Sequence, residues 1–319
     1  MLDYFLLFVG LPILLKSADL LVEGASSLAK RLAVSDLVIG LTVVAFGTSA
    51  PELVVTIVAG IKGNSELVLG NIVGSNIANI LLILGLAATV YPLTVHRNTV
   101  WKEIPLSLLS AVVIALMAND ALIDRLPASV VSRIDGAVLV CFFSIFLYYT
   151  YGIAKAGGEV AEETFIVLGL FKSAVFIVLG LLGLVLGGEW IVSGAVGIAQ
   201  KLGMSERLIG LTIIAVGTSL PELAASVMAA FRHKTDIAVG NAIGSNIFNS
   251  FWILGVGAVI RPIPFDTSGN LDMLFMIGAN VLLFGYLFIG ERHRVSRWQG
   301  IFSVYLYLVY IVIIVLRRK

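Results

Sequence analysis

Apolar residues occupy most of this chain in ten long runs, and short polar segments separate the runs. A run of about 20 apolar residues is long enough to cross the hydrocarbon core of a membrane as a helix. The pattern therefore predicts an all-α polytopic membrane protein. Its ten transmembrane helices are expected at residues 3–31, 36–61, 65–91, 101–118, 134–153, 166–201, 206–231, 236–260, 271–289 and 297–316.

Two of these hydrophobic regions repeat one another closely. Residues 40–85 and 210–255 align without a gap at a constant offset of 170, with 21 identities in 46 positions. Asp19 and Glu189 also align at this offset, so the duplication extends over most of the chain. Ten spans divide into five and five, and an odd number of spans makes the second half enter the membrane from the opposite side. The repeat is therefore predicted to be inverted.

The predicted halves set the domain boundaries. The first inverted repeat is expected at residues 1–153 (spans 1–5) and the second at residues 166–319 (spans 6–10). The polar segment 154–165 is expected to be a cytoplasmic linker between them. A small excess of Lys and Arg in the loops opposite the N-terminus favours an N-out orientation.

Composition agrees with a membrane protein and excludes several other classes. Apolar residues make up 59% of the chain and charged residues only 13%. The net charge of +1 gives no reason to expect a nucleic-acid partner. The single cysteine, Cys141, rules out a disulfide framework and a thiolate metal site. The first apolar run has no basic segment before it and no small-residue cleavage site, so we expect it to be a retained span.

The first repeated motif contains a helix breaker inside an apolar run. It is GTSAPEL at 47–53 and GTSLPEL at 217–223. Its proline has no N–H and cannot donate to the preceding turn. The helices are therefore expected to break at Thr48–Ser49 and at Thr218–Ser219, near the middle of the membrane. Free carbonyl groups at that depth are costly unless they face a cavity or an ion.

The same motif places one carboxylate in each half, Glu52 and Glu222. Ionisable residues inside membrane spans are expensive and are usually functional, and no Lys or Arg lies near either one in its apolar run. The three histidines, His96, His233 and His293, fall in predicted loops. The remaining ligands are all oxygen atoms, which suit hard cations such as Ca²⁺ or Na⁺.

The second repeated motif is GNIVGSNIAN at 70–79 and GNAIGSNIFN at 240–249. Its Gly-Ser-Asn segment indicates either a local break or a close helix crossing. Asn79 and Asn249 follow Ser75 and Ser245 by four residues and share their helix face. Their amide groups could complete an oxygen cage or could orient the glutamates.

Simpler structural roles remain open for several of these residues. Gly and Ser in membrane helices most often let backbones approach each other, and the hydroxyl of Thr48 or Thr218 could bond to its own helix. In the first span, Lys16 and Asp19 are three residues apart and are expected to pair rather than to serve an ion.

Both motifs, GTSxPEL and GNxxGSNIxN, resemble those of the sodium/calcium exchanger branch of the cation/Ca²⁺ exchanger superfamily. The resemblance covers nearly the whole chain and implies a prokaryotic member in the plasma (inner) membrane. It implies ten helices in two inverted repeats, with four ion sites in a diamond at the centre.

The resemblance also implies a role for each motif position. Glu52 and Glu222 would be the central acidic ligands of the metal ions. The other implied ligands are the carbonyl groups of Thr48 and Thr218 for Ca²⁺, the hydroxyl groups of Ser49 and Ser219 for Na⁺, the backbone oxygens of Ala45 and Ala215 together with Ser75 and Ser245 at the outlying Na⁺ sites, and Asn79 and Asn249 at the remaining central corner.

The implied function is secondary active antiport of Na⁺ against Ca²⁺ by alternating access, with the first and sixth spans sliding. Some relatives, including potassium-dependent exchangers, carry Asp at the place of Asn249, so we expect no need for K⁺ here. An H⁺/Ca²⁺ antiporter of the same superfamily is the alternative. We expect Ca²⁺ and Na⁺ as substrates and the lipid bilayer as surroundings, with no catalytic residues, no resident cofactor and no obligate protein partner.

Overall fold

The computed structural model describes residues 2–156, 168–202 and 215–317. Helices account for most of these residues, as the hydrophobic runs predict. In chain order the helices are α1 (Leu2–Leu32), α2 (Asp36–Thr48), α3 (Ala50–Lys62), α4 (Ser65–Val90), α5 (Arg97–Trp101), α6 (Glu103–Met117), α7 (Asp120–Ile123), α8 (Arg133–Ala156), α9 (Leu170–Lys201), α10 (Ala215–Gly217), α11 (Leu220–Phe231), α12 (Thr235–Ile260), α13 (Asn270–Tyr286) and α14 (Arg297–Arg317).

The helices follow the predicted spans within a few residues. Within the described ranges, eight helical segments are long and apolar enough to cross a membrane, and α2 with α3 forms a bent ninth span. The seventh predicted span, 206–231, is described only from residue 215, as α10 and the short apolar helix α11. The polytopic helical fold is therefore confirmed, while the count of ten extends beyond the described residues. The predicted linker also lies largely outside them, from residue 157 onward.

Two pairs of short strands show how the halves are related. These are β1 (Leu93–Thr94) with β4 (Arg294–Val295), and β2 (Ser129–Val131) with β3 (Ile263–Phe265). At the offset of 170, β1 and β3 are equivalent, yet they lie in different sheets. The fourth span separates β1 from β2, which places these two strands at opposite ends of that helix. Equivalent strands of the two halves therefore lie on opposite sides, and the repeat is inverted.

Glycine contacts between equivalent helices repeat the same symmetry. A Cβ atom on Gly136 of α8 would lie 2.7 Å from the carbonyl oxygen of Gly255 in α12. In the other half, a Cβ on Gly300 of α14 would lie 2.5 Å from the carbonyl oxygen of Gly85 in α4. Both crossings are possible only because glycine has no side chain. The last helix of each half thus packs against the third span of the other half.

The two longest helices, α1 and α9, pack along each other through small residues. Gly10 of α1 faces Gly187 of α9, and a Cβ on Gly24 would lie 2.9 Å from the carbonyl oxygen of Ser173. In α1, Lys16 Nζ and Asp19 Oδ2 lie 3.0 Å apart, which confirms the predicted ion pair. Asp19 also pairs with Arg232, just beyond α11. The Asp19–Arg232 ion pair therefore connects α1 to the end of α11.

One buried acid lies outside the repeated motifs. Glu103, at the start of α6, is fully buried, and its Oε1 accepts a short hydrogen bond from the hydroxyl of Tyr149 in α8. Its Oε2 has no hydrogen-bond partner in the described part of the chain. Tyr149 is therefore the donor that makes burial of this carboxyl group tolerable.

This contact predicts an unequal response to two conservative substitutions. Tyr149→Phe leaves the buried carboxyl group without its donor, so we expect the free energy of unfolding to fall by about 2 kcal/mol. Glu103→Gln keeps an acceptor for the tyrosine and removes the acid, so its loss should be smaller. Thermal unfolding of the purified variants measures both. Tyr148→Phe, at an exposed neighbour, is the control and should match the parent protein; equal losses in Tyr148→Phe and Tyr149→Phe would contradict the prediction.

Candidate ion-binding site

Both helix breaks lie where the proline motif predicts them. The second span bends by 45° between α2 and α3, and Ser49 lies in the bend. In the second half, α10 ends at Gly217 and α11 begins at Leu220, which leaves Thr218 and Ser219 between the two helices. Since Pro51 has no N–H, the carbonyl group of Gly47 cannot make its regular helical hydrogen bond.

The two glutamates lie in the first helical turn after each break and are shielded from solvent. Glu52 is 0% exposed and Glu222 is 1% exposed. The serine in each break reaches the carboxylate of the other half. Ser49 Oγ donates to Glu222 Oε1 at 3.0 Å, and Ser219 Oγ donates to Glu52 Oε1 at 3.3 Å. The two halves therefore build one shared site.

Ser75 of the second motif also lies at this site. Ser75 Oγ donates to Glu52 Oε1 at 3.4 Å, and Ser219 Oγ lies 3.2 Å from Ser75 Oγ. Ser245, the equivalent of Ser75, is fully buried, but its hydroxyl has no partner within the described residues. The structure thus brings together both predicted carboxylates with three of the four predicted serines, Ser49, Ser75 and Ser219.

The Gly-Ser-Asn segment does not break the helix in either half, and in the second half it forms a close helix crossing. Helix α4 continues through Gly74, and α12 continues through Gly244. A Cβ on Gly244 would lie 2.7 Å from the carbonyl oxygen of Leu41 in α2. Both helices then widen into a π-helical turn, at Asn79–Leu84 and Phe248–Ile253, and such turns are common at functional positions.

The oxygen atoms left without partners define the site most directly. Glu52 Oε2, Glu222 Oε2, Asn79 Oδ1 and Asn249 Oδ1 are buried and accept no hydrogen bond within the described part of the chain. Buried polar atoms in proteins are almost always hydrogen-bonded. Four of the exceptions in the described residues come from the repeated motifs as two symmetry-related pairs, two carboxylate oxygens and two amide oxygens. Such a set can hold hard cations.

The threonines of the break contribute their hydroxyl groups elsewhere. Thr48 Oγ1 donates to Asn241 Oδ1 at 3.1 Å and approaches the carbonyl oxygen of Ala45 at 3.4 Å. Thr218 Oγ1 approaches Asn71 Oδ1 at 3.5 Å. Thr48 therefore makes the bond to its own helix that the sequence left open, together with a bond to the opposite half. The role of the backbone oxygens of Ala45 and Ala215 as ligands remains a prediction.

Asn71 and Asn241 hold the glutamate helices in place, a role that the sequence analysis did not assign. Asn71 Nδ2 donates to the carbonyl oxygen of Glu52 at 3.3 Å and to Thr56 Oγ1 at 3.2 Å. Asn241 Nδ2 donates to the carbonyl oxygen of Glu222 at 3.3 Å. The occurrence of this Asn in both copies of the GNxxGSN motif was the available signal.

Asn76 and Asn246 (the outer asparagines) were also missed. Each contacts one of the two amide corners, Asn249 and Asn79. Asn249 Nδ2 donates to Asn76 Oδ1 at 3.1 Å, and Asn79 Nδ2 donates to Asn246 Oδ1 at 2.9 Å. Since the amide nitrogen of each corner residue is used in this way, its oxygen is left for the site. Both outer residues belong to the repeated motif, but a motif alone does not show which amide faces the ions.

A model of the family described as "Sodium/calcium exchanger protein" matches residues 2–152 and 172–316. The putative antiporter CaxA of Alkalimonas amylolytica is 40% identical over 301 residues, covering 92% of this chain and 92% of that protein. The sodium/calcium exchanger MaX1 of Methanosarcina acetivorans is 32% identical over 348 residues, covering 98% of each.

The fold is also similar to that of a solved structure. The structure of the sodium-calcium exchanger NCX_Mj superposes with a TM-score of 0.83 at 35% sequence identity and covers 98% of both chains. That structure concerns extracellular ion exchange and occlusion of its binding site. The similarity extends over both halves of this chain, including the two motifs that form the site.

Proposed function

Because the chain belongs to the sodium/calcium exchanger family, we propose that it is a secondary active antiporter that exchanges Na⁺ for Ca²⁺ across the inner membrane of a prokaryote. The observation that carries the proposal is the buried set of unpartnered oxygen atoms from Glu52, Glu222, Asn79 and Asn249. These atoms come from both halves, so the site depends on their inverted packing.

The charge and ligand types of the site suit the two proposed substrates. Glu52 and Glu222 together carry −2 when ionised, and one Ca²⁺ or a small number of Na⁺ ions can neutralise this charge. Ca²⁺ takes 6 to 8 oxygen ligands. Carboxylate and amide oxygens are present at the site, and the hydroxyls of Ser49, Ser75, Ser219 and Ser245 can add to them.

We propose that exchange results from competition for these oxygen atoms. Ca²⁺ and several Na⁺ ions cannot all be fully coordinated around Glu52 and Glu222 at once. Binding of Ca²⁺ or of several Na⁺ ions neutralises the buried charge and lets the site open to the other side of the membrane. An empty site with two carboxylates should resist switching, because sealing uncompensated charge into an apolar region is very costly. Leak without exchange is therefore suppressed.

The moving part in this proposal is the α1–α9 pair. These helices pack on each other at glycine positions such as Gly10 and Gly187. Small residues at this contact let the two backbones approach closely and hold the helices together. Such a pair can slide as a unit past α2 and α11, which hold the site.

A flux measurement decides the coupling ion. The protein is reconstituted into vesicles, and Ca²⁺ uptake is driven separately by an outward Na⁺ gradient and by an outward H⁺ gradient. We expect uptake with the Na⁺ gradient at constant pH and background uptake with the H⁺ gradient alone. The reverse result would identify an H⁺/Ca²⁺ antiporter, and protein-free vesicles are the control.

We further predict that transport does not depend on K⁺. Both amide corners are neutral, since Asn79 and Asn249 carry no charge, so the site offers one carboxylate fewer than a site with Asp at position 249. Na⁺-driven Ca²⁺ uptake measured with K⁺ and with choline as the accompanying cation should agree within about twofold, a difference of less than about 0.5 kcal/mol. Uptake that disappears without K⁺ would contradict this prediction.

A further inference from the structure

The two amide corners, Asn79 and Asn249, occupy equivalent positions, but the structure holds them differently. Each corner donates its amide N–H to an asparagine of the opposite half, Asn246 or Asn76, at 2.9 Å and 3.1 Å. The oxygen of each corner residue can face the site only while the outer asparagine presents its own amide oxygen to the N–H group of that corner. The orientation of the outer amide groups therefore determines which atom of each corner meets the ion.

Three acceptors hold the outer amide of Asn76. Its Nδ2 donates to Ser250 Oγ at 2.8 Å and also lies 3.4 Å from the carbonyl oxygen of Asn246 and 3.7 Å from Met276 Sδ. Turning this amide round would place its oxygen against a carbonyl group and a sulfur, neither of which can donate. Asn76 is thus fixed with its oxygen toward Asn249.

The outer amide of Asn246 lacks this support. It is buried, and its Nδ2 has no hydrogen-bond partner in the described ranges. One part of the difference lies in the sequence, because Ile80 stands at the offset of 170 from Ser250 and cannot accept a hydrogen bond. An amide group with a free N–H end can turn round at little cost, and Asn79 would turn with it. Its NH₂ group would then face the site.

We infer that Ser250, the nearest of the three acceptors around Asn76, acts with the carbonyl group of Asn246 and the sulfur of Met276 as a positioning residue that keeps the oxygen of Asn249 directed at the transported cation. The Asn79 corner lacks this set of acceptors. The inference rests on the proposed function, since it assigns roles within the same site. Asn249 supplies a constant oxygen ligand. Asn79 supplies one that can be exchanged for a donor, so the two corners of the site are unequal despite their identical residues.

The test compares Ser250→Ala with Ser250→Thr, which restores a hydroxyl, and Ile80→Ser with Ile80→Ala. Ile80→Ser adds the missing acceptor beside Asn246, and Ile80→Ala controls for the lost volume. Two quantities are measured: the KM and maximal rate of Ca²⁺ uptake in vesicles, and the shift of the unfolding temperature that Ca²⁺ produces in the purified protein.

We expect Ser250→Ala to raise the KM for Ca²⁺ about fivefold, as for loss of one hydrogen bond, with a maximal rate within about twofold of the parent. The Ca²⁺-induced shift of the unfolding temperature should shrink in parallel, and Ser250→Thr should restore both. Ile80→Ser should have a lower KM than Ile80→Ala. A general loss of packing would instead lower the unfolding temperature without Ca²⁺ and leave the KM unchanged.

Several results would overturn the inference. They are an unchanged KM in Ser250→Ala, equal KM values in Ser250→Ala and Ser250→Thr, or a KM of Ile80→Ser no lower than that of Ile80→Ala. If Ser250→Ala does not fold, the Ile80 pair alone decides. If the parent protein transports Ca²⁺ while these comparisons fail, only the inference falls. If the parent neither transports Ca²⁺ nor is stabilised by it, the proposed function falls as well.

Discussion

Ca²⁺ uptake should fall by at least roughly 100-fold when Glu52 or Glu222 is replaced by glutamine, as expected for a charged ligand contributing about 3 kcal/mol. Each substitution keeps the shape of the side chain and removes half of the charge at the site. Glutamine can still accept the hydrogen bond of Ser219 or Ser49, so the helix break should remain formed. The loss should therefore lie in ion binding rather than in folding. Na⁺-driven uptake of Ca²⁺ into vesicles measures it.

Glu66→Gln is the matched control for this prediction. Glu66 lies in the same half as Glu52, at the exposed start of α4. Its substitution should leave uptake unchanged. Thermal unfolding without ions checks that all three variants are folded. Folded Glu52→Gln or Glu222→Gln protein with uptake near that of the parent would rule out the proposed site.

The second large effect is expected at Gly244, where α12 crosses α2. A Cβ there would lie 2.7 Å from the carbonyl oxygen of Leu41 and 2.8 Å from the Cβ of Ala45. Backbone atoms cannot move aside as the end of a side chain can, so Gly244→Ala must push the two helices apart. Overpacking of this kind costs about 1–3 kcal/mol. Because Ser49, which donates to Glu222, directly follows α2, we expect both a lower unfolding temperature and a weaker apparent affinity for Ca²⁺.

Gly278→Ala in α13 separates this effect from a general glycine effect. A Cβ at Gly278 has no neighbour within 4 Å among the described residues. Alanine also favours a helix more than glycine does, so this variant should be at least as stable as the parent. The prediction fails if Gly244→Ala and Gly278→Ala unfold at the same temperature and bind Ca²⁺ equally well.

Sequence periodicity was sufficient for the fold because the bilayer leaves few alternatives. A backbone that crosses hydrocarbon must satisfy its polar groups internally, so each long apolar run becomes a helix. An odd number of spans in each half then requires inversion, which the pairing of β1 with β4 and of β2 with β3 confirms. The breaks at Ser49 and Ser219 were predictable for a similarly local reason, since proline removes a backbone donor wherever the chain places it.

Contacts between the halves were not predictable in this way. The sequence allowed the Gly-Ser-Asn segment to be a break or a crossing, and only the packing of Gly244 on Leu41 decided for the crossing. Glu103 lies outside the two repeated motifs, and its burial against Tyr149 depends on how α6 and α8 meet. Pairings across more than 40 residues leave no local pattern in the sequence.

The sequence by itself determined the helices, the inverted duplication, the two helix breaks and the presence of one buried carboxylate in each half, because each of these follows from local chemistry or from the repeat. Only the tertiary structure decided which groups meet across the two halves. It places Ser49 on Glu222 and Ser219 on Glu52, and it leaves the oxygens of Asn79 and Asn249 free of partners in the described residues. The physical reason is that hydrogen bonds between distant segments depend on helix packing, and identical motifs differ once a neighbour such as Ile80 replaces Ser250.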